Sequence, residues 1–152
     1  MQQDYQVHCV RQHEVPYRGP LTISKLLAAN RFGWVDPRIS DEHFPRRETE
    51  FELVTSVVVS YGRCMDCARV LADFRWLGIR PSNVAELLGL TASVDFWRGS
   101  ALPLVALSQT RNGADSDRHF VRVDARNDST TVRLATLAQI NLEVCSFAAI
   151  LF

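Results

Sequence analysis

Apolar and polar positions follow different periods in the two halves of this chain. Residues 4–10 (DYQVHCV) alternate as a short strand, and Pro16 to Pro20 then interrupts any regular element. In LTISKLLAAN, Ile23, Leu26 and Leu27 recur at helical spacing, with Thr22 placed as N-cap and Asn30 as the stop. FGWVDPRISDEHFPRR carries two prolines and reads as an ordered loop whose Phe32, Trp34 and Phe44 anchor to the core. FELVTSVVVSY puts Val54, Val58 and Tyr61 at helical spacing, but its valines and Thr55 favour a strand, which Gly62 ends. Met65 to Leu77 predicts a helix with Val70, Leu71, Phe74 and Leu77 inward and Gly78 at the C′ position. After Arg80-Pro81, Asn83 and Glu86 have capping-box spacing and open a helix that turns Val84, Leu87 and Leu88 inward.

The last third changes to a period of two. LPLVALSQT, RHFVRVDA and TTVRLATL read as strands joined by the Asn/Asp/Gly-rich connectors Arg111–Arg118 and Arg126–Thr130, which is hairpin chemistry. NLEVCSFAAILF supplies a last apolar strand. Helices precede the meander instead of alternating through it, so the class expected is α+β. The 152 residues suit one folding unit, read as an N-terminal appendage at 1–49 packed on a core at 50–152.

Composition narrows the function classes. Seventeen basic and 17 acidic residues cancel, which argues against a nucleic-acid module working through a general basic field. Lys25 is the only lysine, so a catalytic lysine has one candidate, on a surface helix. No apolar run reaches the roughly 18 residues of a membrane span. The segment MQQDYQVHCVRQHE lacks a signal peptide's basic and apolar regions. Cysteines 9, 64, 67 and 145 are therefore expected to be reduced thiols in the cytoplasm.

Cys64-Met65-Asp66-Cys67 follows a strand and opens a helix, the layout of a thiol-disulfide oxidoreductase. A helix N-terminus favours a thiolate, with Cys64 as nucleophile and Cys67 as resolver. The stretch from Val57 to Ile79, with Leu102-Pro103 beyond it, looks somewhat like a glutaredoxin. Against this, Asp66 opposes the thiolate, a second capped helix stands where a strand is needed, and the tail is all strand. A zinc site would need ligands beyond this pair, and His8, Cys9, His13, His43, His119 and Cys145 form no second close pair. Ala85 and Gly89 have helix-turn-helix separation, but Asp95 falls where an apolar residue belongs. Asn112, Asp115, Asp117, Asp124, Asn127 and Asp128 are oxygen donors without EF-hand spacing, and turn chemistry explains them. No metal and no cofactor is expected.

Taken as a unit, MDCARVLADFRWLGIRPSNVAELLGL resembles the helical half of bacterial C-type-lectin-like domains. That group includes the formylglycine-generating type and retroelement variable proteins. The matching positions are Ala68, Trp76, Leu77, Gly78, Arg80, Pro81 and Glu86, and the strand tail resembles the same family's meander. Trp34 to Pro45 is similar to a segment of uncharacterised bacterial proteins. The resemblance implies a C-type-lectin-like fold, two helices packed on an antiparallel β-meander with a small N-terminal helical appendage. The family's catalytic cysteine pair has no counterpart near Cys145, and its calcium-sugar motifs are missing, so the function implied is a non-enzymatic ligand- or protein-binding module. Its binding residues would be Trp97, Arg98, Arg111, Asn112, Asp115, Asp117, Arg126, Asn127 and Asp128, on loops held by a rigid scaffold. The competing expectation is the oxidoreductase using Cys64 and Cys67.

Overall fold

The valine run at 57–59 is buried on both sides in the computed structural model, which describes residues 5–14, 22–29, 32–44, 53–91, 103–112, 118–126 and 129–151. This run lies in strand β3 (Leu53–Ser60), and the same is true of Phe147–Ile150 in β8 (Ser146–Leu151). Strands covered on both faces lose the alternation of a half-exposed sheet and read as continuous apolar segments. Around this pair stand β1 (Gln6–Glu14), β2 (Trp34–Val35), β4 (Ile79–Pro81), β5 (Leu104–Asn112), β6 (Arg118–Arg126) and β7 (Ser129–Thr136). The eight form one sheet in the order β1-β3-β8-β5-β6-β7-β2, with β4 also on β8. It is mixed: β8 runs parallel to β5 and β2 parallel to β7, while the other pairs are antiparallel.

This arrangement overturns the C-type-lectin-like expectation of two helices on an antiparallel meander. The hairpins β5–β6–β7 form as the turn chemistry predicts, but the last strand does not extend them. It crosses over and inserts between β3 and β5, because only the sheet centre covers both faces of Phe147–Ile150. Nor is the N-terminal part a helical appendage, since β1 and β2 join the same sheet.

The edge of β8 is shared. Strand β5 pairs with β8 through Leu104, Val105 and Ala106, then shifts register against β6 between Ala106 and Thr110. Into the space so opened comes β4, whose Ile79, Arg80 and Pro81 pair with Leu151, Ile150 and Ala149. Ser82 N–H donates to Ala148 O at 3.0 Å, and Ser108 N–H donates to Ser82 O at 3.1 Å, closing the fork.

Four helices cover the two faces. Helices α1 (Thr22–Ala29) and α3 (Val84–Thr91) pack in one apolar cluster with Val54, Val58, Leu104, Val121 and Ala148. Helices α2 (Cys67–Leu77) and α4 (Leu137–Leu142) pack in the other, with Val57, Val59, Val105, Phe120 and Phe147. Every residue of α3 is buried, as befits a helix apolar almost all round. Its start is the expected capping box: Asn83 Oδ1 accepts from Glu86 N–H at 2.8 Å, and Glu86 Oε1 accepts from Asn83 N–H at 3.0 Å. The fully buried Glu86 carboxylate also takes two bonds from Arg80, at 2.8 and 2.6 Å.

Two details differ from the sequence reading. Helix α1 is capped from a distance, because the Asp41 carboxylate accepts from Ile23 N–H at 3.0 Å and Ser24 N–H at 3.3 Å, while Thr22 is already helical. Phe44 is buried and Phe32 packs on the core, but Trp34 stands exposed on the edge strand β2. Helix α2 ends as predicted at Gly78, with φ 71° in the left-handed region. Among the described residues, no helix is long and apolar enough to cross a membrane.

Candidate functional site

The topology separates the two polar connectors. Asn112 pairs with Arg118 at one end of β6, and Arg126 pairs with Ser129 at the other. Eight residue steps along a strand span ~27 Å, so Arg111 and Asn112 do not meet Arg126 around one small ligand. Trp97, Arg98, Asp115, Asp117, Asn127 and Asp128 lie outside the described residues.

Toward the Arg126 end of β6, two segments meet, the loop from β3 to α2 and the corner from α4 to β8. Here lie Cys64, Cys67 and Cys145, all free. The layout differs from a redox motif in a decisive way. Helix α2 begins only at Cys67, so Cys64 precedes it by a full turn's worth of residues. The helix N-terminus is already served: Asp66 Oδ1 accepts from Ala68 N–H at 2.8 Å, and Asn141 Oδ1 accepts from Cys67 N–H at 3.0 Å. A carboxylate therefore occupies the position at which the helix end would stabilise a thiolate. Burial, with the nearby Asp66 charge and Cys145, pushes the Cys67 thiol up to about 11. Cys64 is exposed, and its thiol donates to the Leu142 carbonyl at 3.2 Å.

Beside the thiols lies a charged cluster that the sequence reading missed. Arg122 points from β6 onto the α4 face with only 3% of its side chain exposed. Its guanidinium donates to Asp124 at 3.1 and 2.7 Å and to Glu143 at 2.6 Å; Arg133 Nε donates to Asp124 at 2.8 Å. Burial opposes the Arg122 charge, but the bonds and charges of Asp124 and Glu143 outweigh it and raise its pKa. Cys145 sits in the same field. Burial pushes its thiol up to about 11, Arg122 pulls down, and Glu143, Asp124 and Cys64 push up. The signal for this cluster was present in RHFVRVDA, since Arg122 and Asp124 alternate with buried Val121 and Val123 and must share the opposite face.

Exposed apolar side chains lie on the α4 side of the sheet. Val35 packs on the α1–α3 cluster, which puts its neighbour Trp34 on the α4 side, paired with Thr131 of β7. Trp34 is 52% exposed, and the corner contributes Leu142 at 79% and Val144 at 53%. Arg133 and Glu143, each about half-exposed, belong to the same charged cluster on this side of the sheet.

No family model, curated protein or solved structure matches the chain. Among the described residues, no group of three or more His, Cys, Asp or Glu side chains is placed to hold a metal ion.

Proposed function

We propose that this protein is a non-enzymatic module that binds a protein partner through the open sheet face at β6, β7 and β2. The observation that carries the reading is the exposure of Trp34, Leu142 and Val144 around the α4 side of the sheet, which also carries the half-exposed Arg133 and Glu143. Indole and aliphatic groups left in water beside partly satisfied charges are the composition of interaction hot spots. Strand β6, which contributes to this face, ends at Arg126, paired with Ser129 of β7.

The alternative, thiol-disulfide catalysis at Cys64 and Cys67, loses support from three features: the position of Cys64 outside the helix, the Asp66 cap, and the buried, protonated Cys67. Three free thiols fit a reducing compartment, and we assign the module to the cytoplasm on that ground.

Affinity capture with the full chain tests the reading. The partner recovered by wild type should bind at least roughly 30-fold more weakly to Trp34→Ala, the loss of one hot spot of ~2 kcal/mol. Trp76→Ala, which removes an exposed indole at the far end of α2, should bind as wild type. Equal loss in both variants, or none in Trp34→Ala, would refute the assignment.

A further inference from the structure

The loop from β3 to α2 and the corner from α4 to β8 are fastened together across more than seventy residues of sequence. The Cys64 thiol donates to Leu142 O, and Cys67 N–H donates to Asn141 Oδ1. Cys145 follows three residues after Leu142, buried with Cys67 in one apolar cluster. One sulfur thus faces solvent and two lie behind it.

Within the Cys-x-x-Cys itself, bridging is disfavoured. Asp66 is extended, with φ −67° and ψ 129°, and no helical turn folds Cys64 back over Cys67. A disulfide needs Cα atoms within about 7 Å, and the helical turn that brings the two cysteines of such a motif together is absent before Cys67. The corner whose Leu142 carbonyl accepts the Cys64 thiol at 3.2 Å carries Cys145 three residues further on.

We propose that Cys64 is a thiol-modification site whose resolving partner is Cys145, not Cys67, and that the two form a reversible disulfide on exposure to a low-molecular-weight disulfide such as oxidised glutathione. The Cys64 thiolate attacks one sulfur of the oxidant, forming a mixed disulfide and releasing one thiolate. The Cys145 thiolate then attacks Cys64 Sγ and expels the second. Two protein thiols are oxidised, one small disulfide is reduced to two thiols, and the two protons pass to those leaving groups. Burial keeps Cys145 protonated, so the second displacement is the slow step. The bond would tie the β3–α2 loop to the corner that carries Leu142 and Val144. It stands independently of the binding surface proposed above.

Peptide mapping of the full-length protein tests this directly. After incubation with oxidised glutathione and alkylation of the remaining thiols, trypsin cuts at Arg63, Arg69 and Arg133. Cys64 and Cys67 then share peptide 64–69, and Cys145 lies in 134–152. The expected product is a cross-link between these two peptides, placed on Cys64 by fragmentation and removed by dithiothreitol. It should persist in Cys67→Ala and fall at least about tenfold in Cys64→Ala. A bond inside peptide 64–69, a cross-link on Cys67, a mixed disulfide that never resolves, or unmodified thiols would each overturn the proposal. The wild-type map alone decides between these results, so no outcome depends on a variant folding.

Discussion

Removing Arg80 should damage this fold more than removing its partner Glu86, although each substitution breaks the same pair of hydrogen bonds. The reason is burial. The Glu86 side chain is 0% exposed, while 27% of the Arg80 side chain reaches solvent. In Arg80→Ala the carboxylate keeps its bond from Asn83 N–H but loses both guanidinium donors in a site that water does not reach. Stranding a buried charge in this way costs about 3–5 kcal/mol. In Glu86→Ala the guanidinium can turn outward and hydrate. The loss is then mainly the acceptor that Glu86 gives to Asn83 N–H, which is half of the capping box, about 1–3 kcal/mol. Replacing both with apolar residues, Arg80→Met with Glu86→Leu, should be milder than Arg80→Ala alone. Urea unfolding followed by circular dichroism measures all three. At a slope of about 2 kcal/mol/M, Arg80→Ala should move the midpoint down by roughly 2 M. If Glu86→Ala proved the costlier single change, or the double variant cost the sum of both, the description of this pair as a buried anion held by a hydratable cation would be wrong.

Asp41→Ala should lower stability by about 1 kcal/mol by uncapping α1, with Asp41→Asn nearly neutral; thermal melts of the two distinguish a cap from a general charge effect. Gly33→Ala places a Cβ 2.9 Å from Ser129 Cβ, so overpacking of ~1–3 kcal/mol should loosen β2 and weaken partner capture by displacing Trp34. Stability should also fall in alkali. Cys67 and Cys145 are held protonated up to about 11 in the folded chain, against about 9 when unfolded, and Tyr61 is raised by its own burial and its bond to Asp73. The unfolded state loses these protons first, so stability is fully present below about pH 9 and is lost as pH rises toward 11. The melting temperature should therefore decline through that window, less steeply in Cys67→Ala; a flat profile would contradict the burial of these groups.

Local rules carried much of the fold. The αL glycine at Gly78, the Asn83–Glu86 box and the two hairpins each follow from contacts within a few residues, where a single sequence holds all the partners. Long-range choices were not available in that way. Nothing near Thr22 announces that Asp41 will cap it, and a two-residue strand such as Trp34-Val35 has no period to detect. Two signals were nevertheless readable. Thr136 and Gln139 have capping-box spacing, and they do cap α4, with Thr136 Oγ1 accepting from Gln139 N–H at 3.2 Å and Gln139 Oε1 accepting from Thr136 N–H at 2.8 Å. The unbroken apolar run Phe147–Ile150 marks a strand covered on both faces, which a terminal meander strand would not be. Site residues fared differently. Arg122, Asp124 and Arg133 meet through alternation and the β6–β7 pairing, which the sequence signals, but Glu143 joins them only because α4 carries the chain back across the sheet, and no spacing announces that.

As scaffold beside the proposed binding face, the Cys64–Cys67 segment should support no disulfide turnover. Disulfide turnover measures this most directly: reduction of insulin by dithiothreitol, followed by turbidity, with catalytic amounts of the full-length protein. The rate should equal that without protein, with no difference between wild type and Cys64→Ala. A protein-dependent acceleration that disappears in Cys64→Ala would contradict it and restore the oxidoreductase reading.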